Sequence, residues 1–205
     1  MNKRFYRIVD AVMNAIYTLL YPARVEGVEN IPLEGAFILC SNHISARDPF
    51  YLAIPCLRER GRYLNFMATA ELFRFKPLGA VVRALGGFPV DRGHNDLNAV
   101  RQAMALLNAG HGLALFPQGT RSRDNSRTPM LTGASMIALR PPRAPVIPAW
   151  IDGPYRRFRP TTVRFGAPVD FVGLGPRVDS ETLKAATGRI EDAVWGLASP
   201  QKSKK

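Results

Sequence analysis

Apolar and polar positions change their period repeatedly along the chain, and the changes mark elements. The run Ala36-Phe37-Ile38-Leu39-Cys40 has no polar member and reads as a strand buried on both faces. A helical stretch follows at about 50–60. Strand signals at 63–67, 88–90, 113–116 and 146–151 then alternate with helical ones near 70–85, 96–108 and 132–139. In the third helical stretch Leu97, Val100, Met104 and Leu107 form one stripe, and Gly110 suits the left-handed residue that ends a helix. Segments 163–165 and 169–171 add strand character, and a last helix spans roughly 180–197. This order predicts an α/β fold, a single-domain sandwich with a mixed, largely parallel central sheet flanked by helices. No internal repeat and no linker divides the chain.

The N-terminal stretch has its own pattern. Phe5, Ile8, Val9, Val12, Met13, Ile16, Leu19 and Leu20 fall at helical spacing, with Asp10 and Asn14 interrupting and Pro22 closing. An amphipathic helix over 1–22 is expected. It falls short of the ~20 unbroken apolar residues of a spanning helix. No small-residue cleavage site follows it. Two places remain for it, packed on the domain or lying in a membrane interface. Lys3, Arg4 and Arg7 beside Phe5 and Tyr6 favour the interface.

Composition narrows the class. The 205 residues suit one domain, 23–198, followed by a solvated basic tail at 199–205. Hydrophobic residues make up 46% and charged residues 21%, which excludes a disordered chain. Lys and Arg number 28 against 16 Asp and Glu, a net charge of +12. That balance calls for an anionic partner: nucleic acid, an acidic carrier protein or the cytoplasmic membrane leaflet. Cys40 and Cys56 read as small buried apolar residues. With no CxxC pair, and histidines scattered at 43, 94 and 111, no metal site is expected. His94 and His111 read as surface or helix-end residues, and Trp150 and Trp195 as packing residues.

Three segments carry chemistry. In the first, Ser41-Asn42-His43-Ile44-Ser45-Ala46-Arg47-Asp48-Pro49, a strand delivers His43 to its carboxyl end, where α/β sheets bind ligands. Asp48, one turn further on, is placed to hold the imidazole by its second nitrogen. Such a pair activates a hydroxyl without a nucleophilic side chain. The second segment, Gly86-Gly87-Phe88-Pro89-Val90-Asp91-Arg92, brings a guanidinium suited to a phosphate just after a short strand. The same pattern also fits a turn with a solvated arginine paired to Asp91. The third, Phe116-Pro117-Gln118-Gly119-Thr120-Arg121-Ser122, offers a close-approach glycine, a hydroxyl and a fixed charge for an oxyanion or phosphate. An ordinary polar loop would read alike. No GxxxxGK[ST], GxGxxG or GxSxG pattern occurs.

Taken in order, these blocks resemble the glycerolipid acyltransferase family. The likeness rests on Asn42-His43 with Asp48, Gly86 through Arg92, Phe-Pro-x-Gly-Thr-Arg-Ser at 116–122, and the strand Val146-Ile147-Pro148-Ala149-Trp150-Ile151. It extends from about Val25 to Phe171, and the nearest pattern is that of bacterial 1-acylglycerol-3-phosphate acyltransferases. The resemblance implies that His43 is the general base and that Asp48 orients it. It implies that Arg92, Gln118, Gly119, Thr120 and Arg121 meet the acceptor. It also implies direct attack on an acyl-CoA or acyl carrier protein thioester, with no other cofactor. A lysophospholipid acceptor, an anionic membrane surface and a place at the cytoplasmic face of the cell membrane, peripheral or monotopic, follow as expectations; nucleic acid does not.

Two departures stand out. The family's third block usually carries glutamate where Gln118 stands, which leaves room for another lysolipid acceptor such as a lyso-ornithine lipid. Relatives also commonly carry a basic residue before Glu71-Leu72-Phe73, where this chain reads Met67-Ala68-Thr69-Ala70; Arg74 or Lys76 stands close by. A nucleic-acid-binding module explains the charge but not the grouping of His43, Asp48 and Arg121 after strands.

Overall fold

The computed structural model describes residues 22–91, 96–122, 124, 126–174 and 178–198, with Ala11, Ala15 and Leu19. The helix expected over 1–22 and the tail at 199–205 therefore lie almost wholly outside the described residues. Seven strands and five helices make up the described fold. The strands are β1 (Ala23–Glu26), β2 (Phe37–Ser41), β3 (Leu64–Thr69), β4 (Gly87–Val90), β5 (Gly112–Leu115), β6 (Val146–Ile151) and β7 (Thr161–Phe165). The helices are α1 (Asp48–Arg60), α2 (Lys76–Ala84), α3 (Leu97–Asn108), α4 (Gly133–Ala138) and α5 (Ser180–Gly196).

One sheet holds all seven strands in the order β1-β7-β6-β2-β5-β3-β4. Every neighbouring pair is parallel except β6 with β7. The expected mixed, largely parallel α/β sheet is present. In β2 the side chains divide by parity. Phe37 and Leu39 pack with Tyr51, Leu52 and Cys56 of α1, while Ile38 and Cys40 pack with Ala103 and Leu107 of α3, Ile137 of α4 and Ile190 of α5. Two apolar layers thus sandwich the strand, which is why the run carries no polar side chain at 36–40.

Pro148 sits inside fully buried β6, where a missing amide hydrogen is usually costly. Its carbonyl accepts from Gly166, just beyond the end of β7. A strand residue presents its N–H and C=O to one side, so the absent donor faces a place where the ladder has already ended.

Several expectations shift. The helix drawn over 70–85 is two pieces, a 3-10 turn at Ala70–Phe73 and then α2. Pro77 is the reason: it would clash with the carbonyl of Phe73 in a continuous helix, so the helix restarts and takes the proline into its first turn. In α3 the expected stripe is widened: Leu107 is buried and Val100 and Met104 pack against the same core, but two alanines share the buried face. Ala99, Ala103 and Leu107 are buried, whereas Leu97 is 59% exposed. The small alanines let the helix approach the sheet closely. Segment 169–171 forms no strand and keeps only one ladder-like bond, Val169 N–H to the Val146 carbonyl. Strand β1 has no counterpart in the pattern, since Ala23-Arg24-Val25-Glu26 is an edge with three exposed side chains.

Candidate active site

Strand β2 ends at Ser41, and Asn42 immediately fixes the chain as it leaves the sheet. The Asn42 amide donates to the Ile151 carbonyl at 3.0 Å and accepts from the Ile151 N–H at 2.8 Å, locking the turn to the end of β6. His43 follows, buried to 6% exposure. Its backbone is held from both directions by the loop after β5: its N–H donates to Gln118 Oε1 at 2.8 Å, and its carbonyl accepts from the Ser122 N–H at 2.8 Å.

The imidazole is fixed as tightly as the backbone. Its Nδ1 lies 2.6 Å from Asp48 Oδ2, and its ring stacks on Phe116 with centroids 4.1 Å apart. A carboxylate can only accept, so Nδ1 carries the proton and Nε2 keeps the lone pair. No hydrogen bond to a described residue engages Nε2.

Asp48 is the first residue of α1, and the residue after it is proline. The helix start favours negative charge there. Fully buried, the carboxylate collects four donors: His43 Nδ1, the Ile44 N–H at 2.6 Å and the Ser45 N–H at 2.9 Å on Oδ2, and the Tyr155 hydroxyl on Oδ1. Tyr155 is itself positioned by stacking on Tyr51 of α1, 4.5 Å between centroids. Pattern reading passed over Tyr155. It lies 107 residues from Asp48 in an arginine-rich loop, and no short-range spacing announces it. Phe116 opened the third segment in the pattern, but its stacking on the His43 ring was not foreseen.

The third segment is a braced loop. The Gly119 N–H donates to the Phe116 carbonyl, with Gly119 at φ +69°, a left-handed conformation open to glycine. Gln118 is buried, and its Nε2 donates to Thr128 Oγ1 at 2.6 Å. The Leu131 N–H closes the loop on the Pro117 carbonyl at 2.8 Å. Gly119, Thr120 and Arg121 remain exposed at its crest. Arg127 ties its far side to α5 through Glu191 and Asp192, each at 3.1 Å.

Of the expected site residues, His43, Asp48 and Gln118 are joined directly, and Gly119, Thr120 and Arg121 stand next to them. Arg92 lies outside the described residues. The strand before it is seated by Gly86, at φ +93°, where an added Cβ would come within 2.8 Å of the Leu64 carbonyl. The Asp91 N–H is then gathered by Asp96, which also caps α3 through the Asn98 and Ala99 amides. Those amides, Asp91's first, hold the Asp96 carboxyl below the usual carboxylate range. Among the described residues no cluster of His, Cys, Asp and Glu could hold a metal ion.

Residues 22–152 match the Acyltransferase family. The chain is 29% identical over 149 residues to the 1-acyl-sn-glycerol-3-phosphate acyltransferase of Bacillus subtilis, spanning 73% of this chain and 72% of that one. The enzyme of the same name from Streptococcus pneumoniae is 26% identical over 199 residues, 93% of this chain and 72% of that one. The crystal structure of the 1-acyl-sn-glycerophosphate (LPA) acyltransferase of Thermotoga maritima superposes with a TM-score of 0.68 at 27% identity, covering 98% of this chain and 86% of that one. With the family matched over most of the chain and the fold shared, this chain belongs to the acyltransferase family.

Proposed function

We propose that the chain transfers a fatty acyl group from an acyl thioester to the free hydroxyl of lysophosphatidate, as the matched relatives' names describe. His43 Nε2 takes the hydroxyl proton while the oxygen attacks the thioester carbonyl. The tetrahedral intermediate then expels the thiolate of CoA or of a carrier protein, which recovers the proton from the imidazolium. Asp48 holds the ring and stabilises its charged form. Arg121, with Gly119 and Thr120, grips the acceptor phosphate, and Arg92 is assigned to the same task. The chemistry demands little else, because a thioester is already a good donor and the cost lies in deprotonating and placing an alcohol.

The observation that carries this reading is the buried pair itself: His43 Nδ1 committed to Asp48 at 2.6 Å, beside a braced loop that exposes Arg121. Gln118 supports lysophosphatidate over another acceptor. Its amide faces inward, to the His43 N–H and Thr128, so the exchange of amide for carboxylate falls on the framework rather than on the exposed crest. No described helix is long and apolar enough to cross a membrane, which fits a reading of peripheral attachment at the cytoplasmic face. The 1–22 segment is then an interfacial helix and 23–198 the catalytic domain.

The test is acyl transfer from acyl-CoA and from acyl carrier protein to lysophosphatidate and to other lysolipids. His43→Ala is expected to lose activity by roughly 10²–10⁴-fold, the usual worth of a general base. Undiminished transfer by that variant would refute the assignment.

A further inference from the structure

The loop between β6 and β7 does two unlike things within five residues. Tyr155 turns inward to Asp48, whereas Arg156, Arg157, Phe158 and Arg159 are all exposed. Phe158 is 71% exposed, and at φ +59° it is the one described non-glycine residue with a left-handed backbone. A bulky aromatic pays strain for that conformation, and here the strain holds a large apolar ring in water. Arg156 and Arg159 make no ion pair with any described residue. Among the described residues the Phe158 ring stays an apolar tip between exposed arginines.

A second prominence of the same composition follows β3. Phe75 is 66% exposed, and Arg74 and Lys76 on either side of it are exposed as well. Register brings the strand ends that lead into both prominences to one edge. Ser41 of β2 is level with Ala149 of β6, and Phe37 and Leu64 are both level with Gly112 of β5. The carboxyl ends of β6 and β3 therefore finish beside His43, with β6 on one side of β2 and β3 beyond β5 on the other. At the usual strand spacing they are about 15 Å apart.

We infer that this edge of the sheet is a docking face for an anionic bilayer, with Phe158 and Phe75 entering the headgroup layer and Arg156 and Arg159 meeting lipid phosphates. Charge and shape select this partner. Aromatic rings ringed by arginine suit the boundary between headgroup and acyl chain, and the chain's +12 charge attracts a negative surface. Two prominences flanking the histidine would bring its open nitrogen to the level where a lysolipid hydroxyl lies. The inference deepens the acyl-transfer reading and rests on it for the identity of the lipid acceptor.

The experiment measures partition of the full chain onto phosphatidylglycerol and phosphatidylcholine vesicles, with transfer to a dispersed short-chain lysolipid assayed alongside. Phe158→Asn suits the left-handed backbone while removing the ring, so folding is retained. Together with Phe75→Ser it is expected to weaken phosphatidylglycerol binding at least tenfold, with transfer to the dispersed acceptor kept. Arg156→Gln with Arg159→Gln should weaken it about fivefold for each charge removed and flatten its salt dependence. Phe158→Trp should retain binding, with an emission that shifts to the blue only when phosphatidylglycerol vesicles are added. Unchanged partition in the first two variants, or no spectral shift in the third, overturns the docking face. So does unchanged partition with selective loss of transfer from acyl carrier protein, which would mark a protein site. If the wild type transfers no acyl group to any lysolipid, the acyl-transfer reading fails while partition still judges the face.

Discussion

At the residue scale, the geometry turns on how a buried carboxyl group is held still. Asp48 receives four donors, and only Tyr155 reaches it from a distant loop with a side chain. Tyr155→Phe keeps the stack on Tyr51 and removes one hydroxyl, so it isolates that donor. The ring of His43 is then less well held, and kcat is expected to fall about tenfold with KM for both substrates nearly unchanged, read from steady-state kinetics. A fall in KM-linked binding instead would show that Tyr155 touches substrate. Gln118 permits a second test. Its Oε1 must face the His43 N–H, because a backbone amide can only donate, and its Nε2 then meets Thr128. Glutamate can accept from both the His43 N–H and the Thr128 hydroxyl. Gln118→Glu should therefore keep the melting temperature close to wild type, whereas Gln118→Ala leaves a buried N–H unpaired and is expected to cost about 1–3 kcal/mol in denaturant unfolding. His43 and Asp48 were legible in the sequence because an apolar strand ends just before the histidine and the aspartate follows five positions on, where a helix begins. Tyr155 was not, because a contact spanning 107 positions is made by the fold and leaves no local period.

At the element scale, what was readable was whatever lies in the buried middle of the sheet. Strands β2, β5 and β6 are fully buried and appear as apolar runs, so a period analysis finds them. Edge strand β1 carries Arg24 and Glu26 on a solvated surface and gives no such signal. Helix boundaries failed where proline decided them, as at Pro77, and the stripe of α3 was incomplete, missing Ala99 and Ala103, because alanine is a weak mark of burial yet the closest-packing residue. The loop between β5 and α4 shows how elements secure a site from a distance. Arg127 reaches Glu191 and Asp192 of α5 and lies over the Trp195 ring, and the Met130 N–H adds a bond to Glu191. This clasp holds the side of the loop opposite to Gly119–Arg121. Being exposed, it adds little to global stability. Its effect belongs to the position of the crest: Arg127→Met should raise the acceptor KM several-fold and leave kcat in place. The wild-type KM should rise in the same direction with salt, as an exposed ion pair is screened.

At the scale of the whole molecule, the two layers each contain one thiol. Cys40 belongs to the layer packed under α3, α4 and α5, and Cys56 to the layer packed under α1. Burial pushes the Cys40 thiol up to about 12 and raises Cys56 as well. Both are protonated in the folded chain at neutral pH, and thiolate is the reactive form. Iodoacetamide is therefore expected to label neither in the native protein, and each label reports the opening of its own layer. The layers share β2, whose alternate side chains serve both, so neither should open alone. Mass spectrometry of samples pulsed along a denaturant series should find Cys40 and Cys56 labelled over one common transition. Two separated transitions would mean that the helices on one face detach while the other face stays packed. The same burial sets a pH limit. An unfolded thiol loses its proton near 8.5, while the folded ones hold theirs to higher pH. Above that point the unfolded chain binds fewer protons, so stability falls as pH rises. Each thiol contributes up to about 1.4 kcal/mol per pH unit, and a Cys40→Ala, Cys56→Ala chain should lose that part of the alkaline slope.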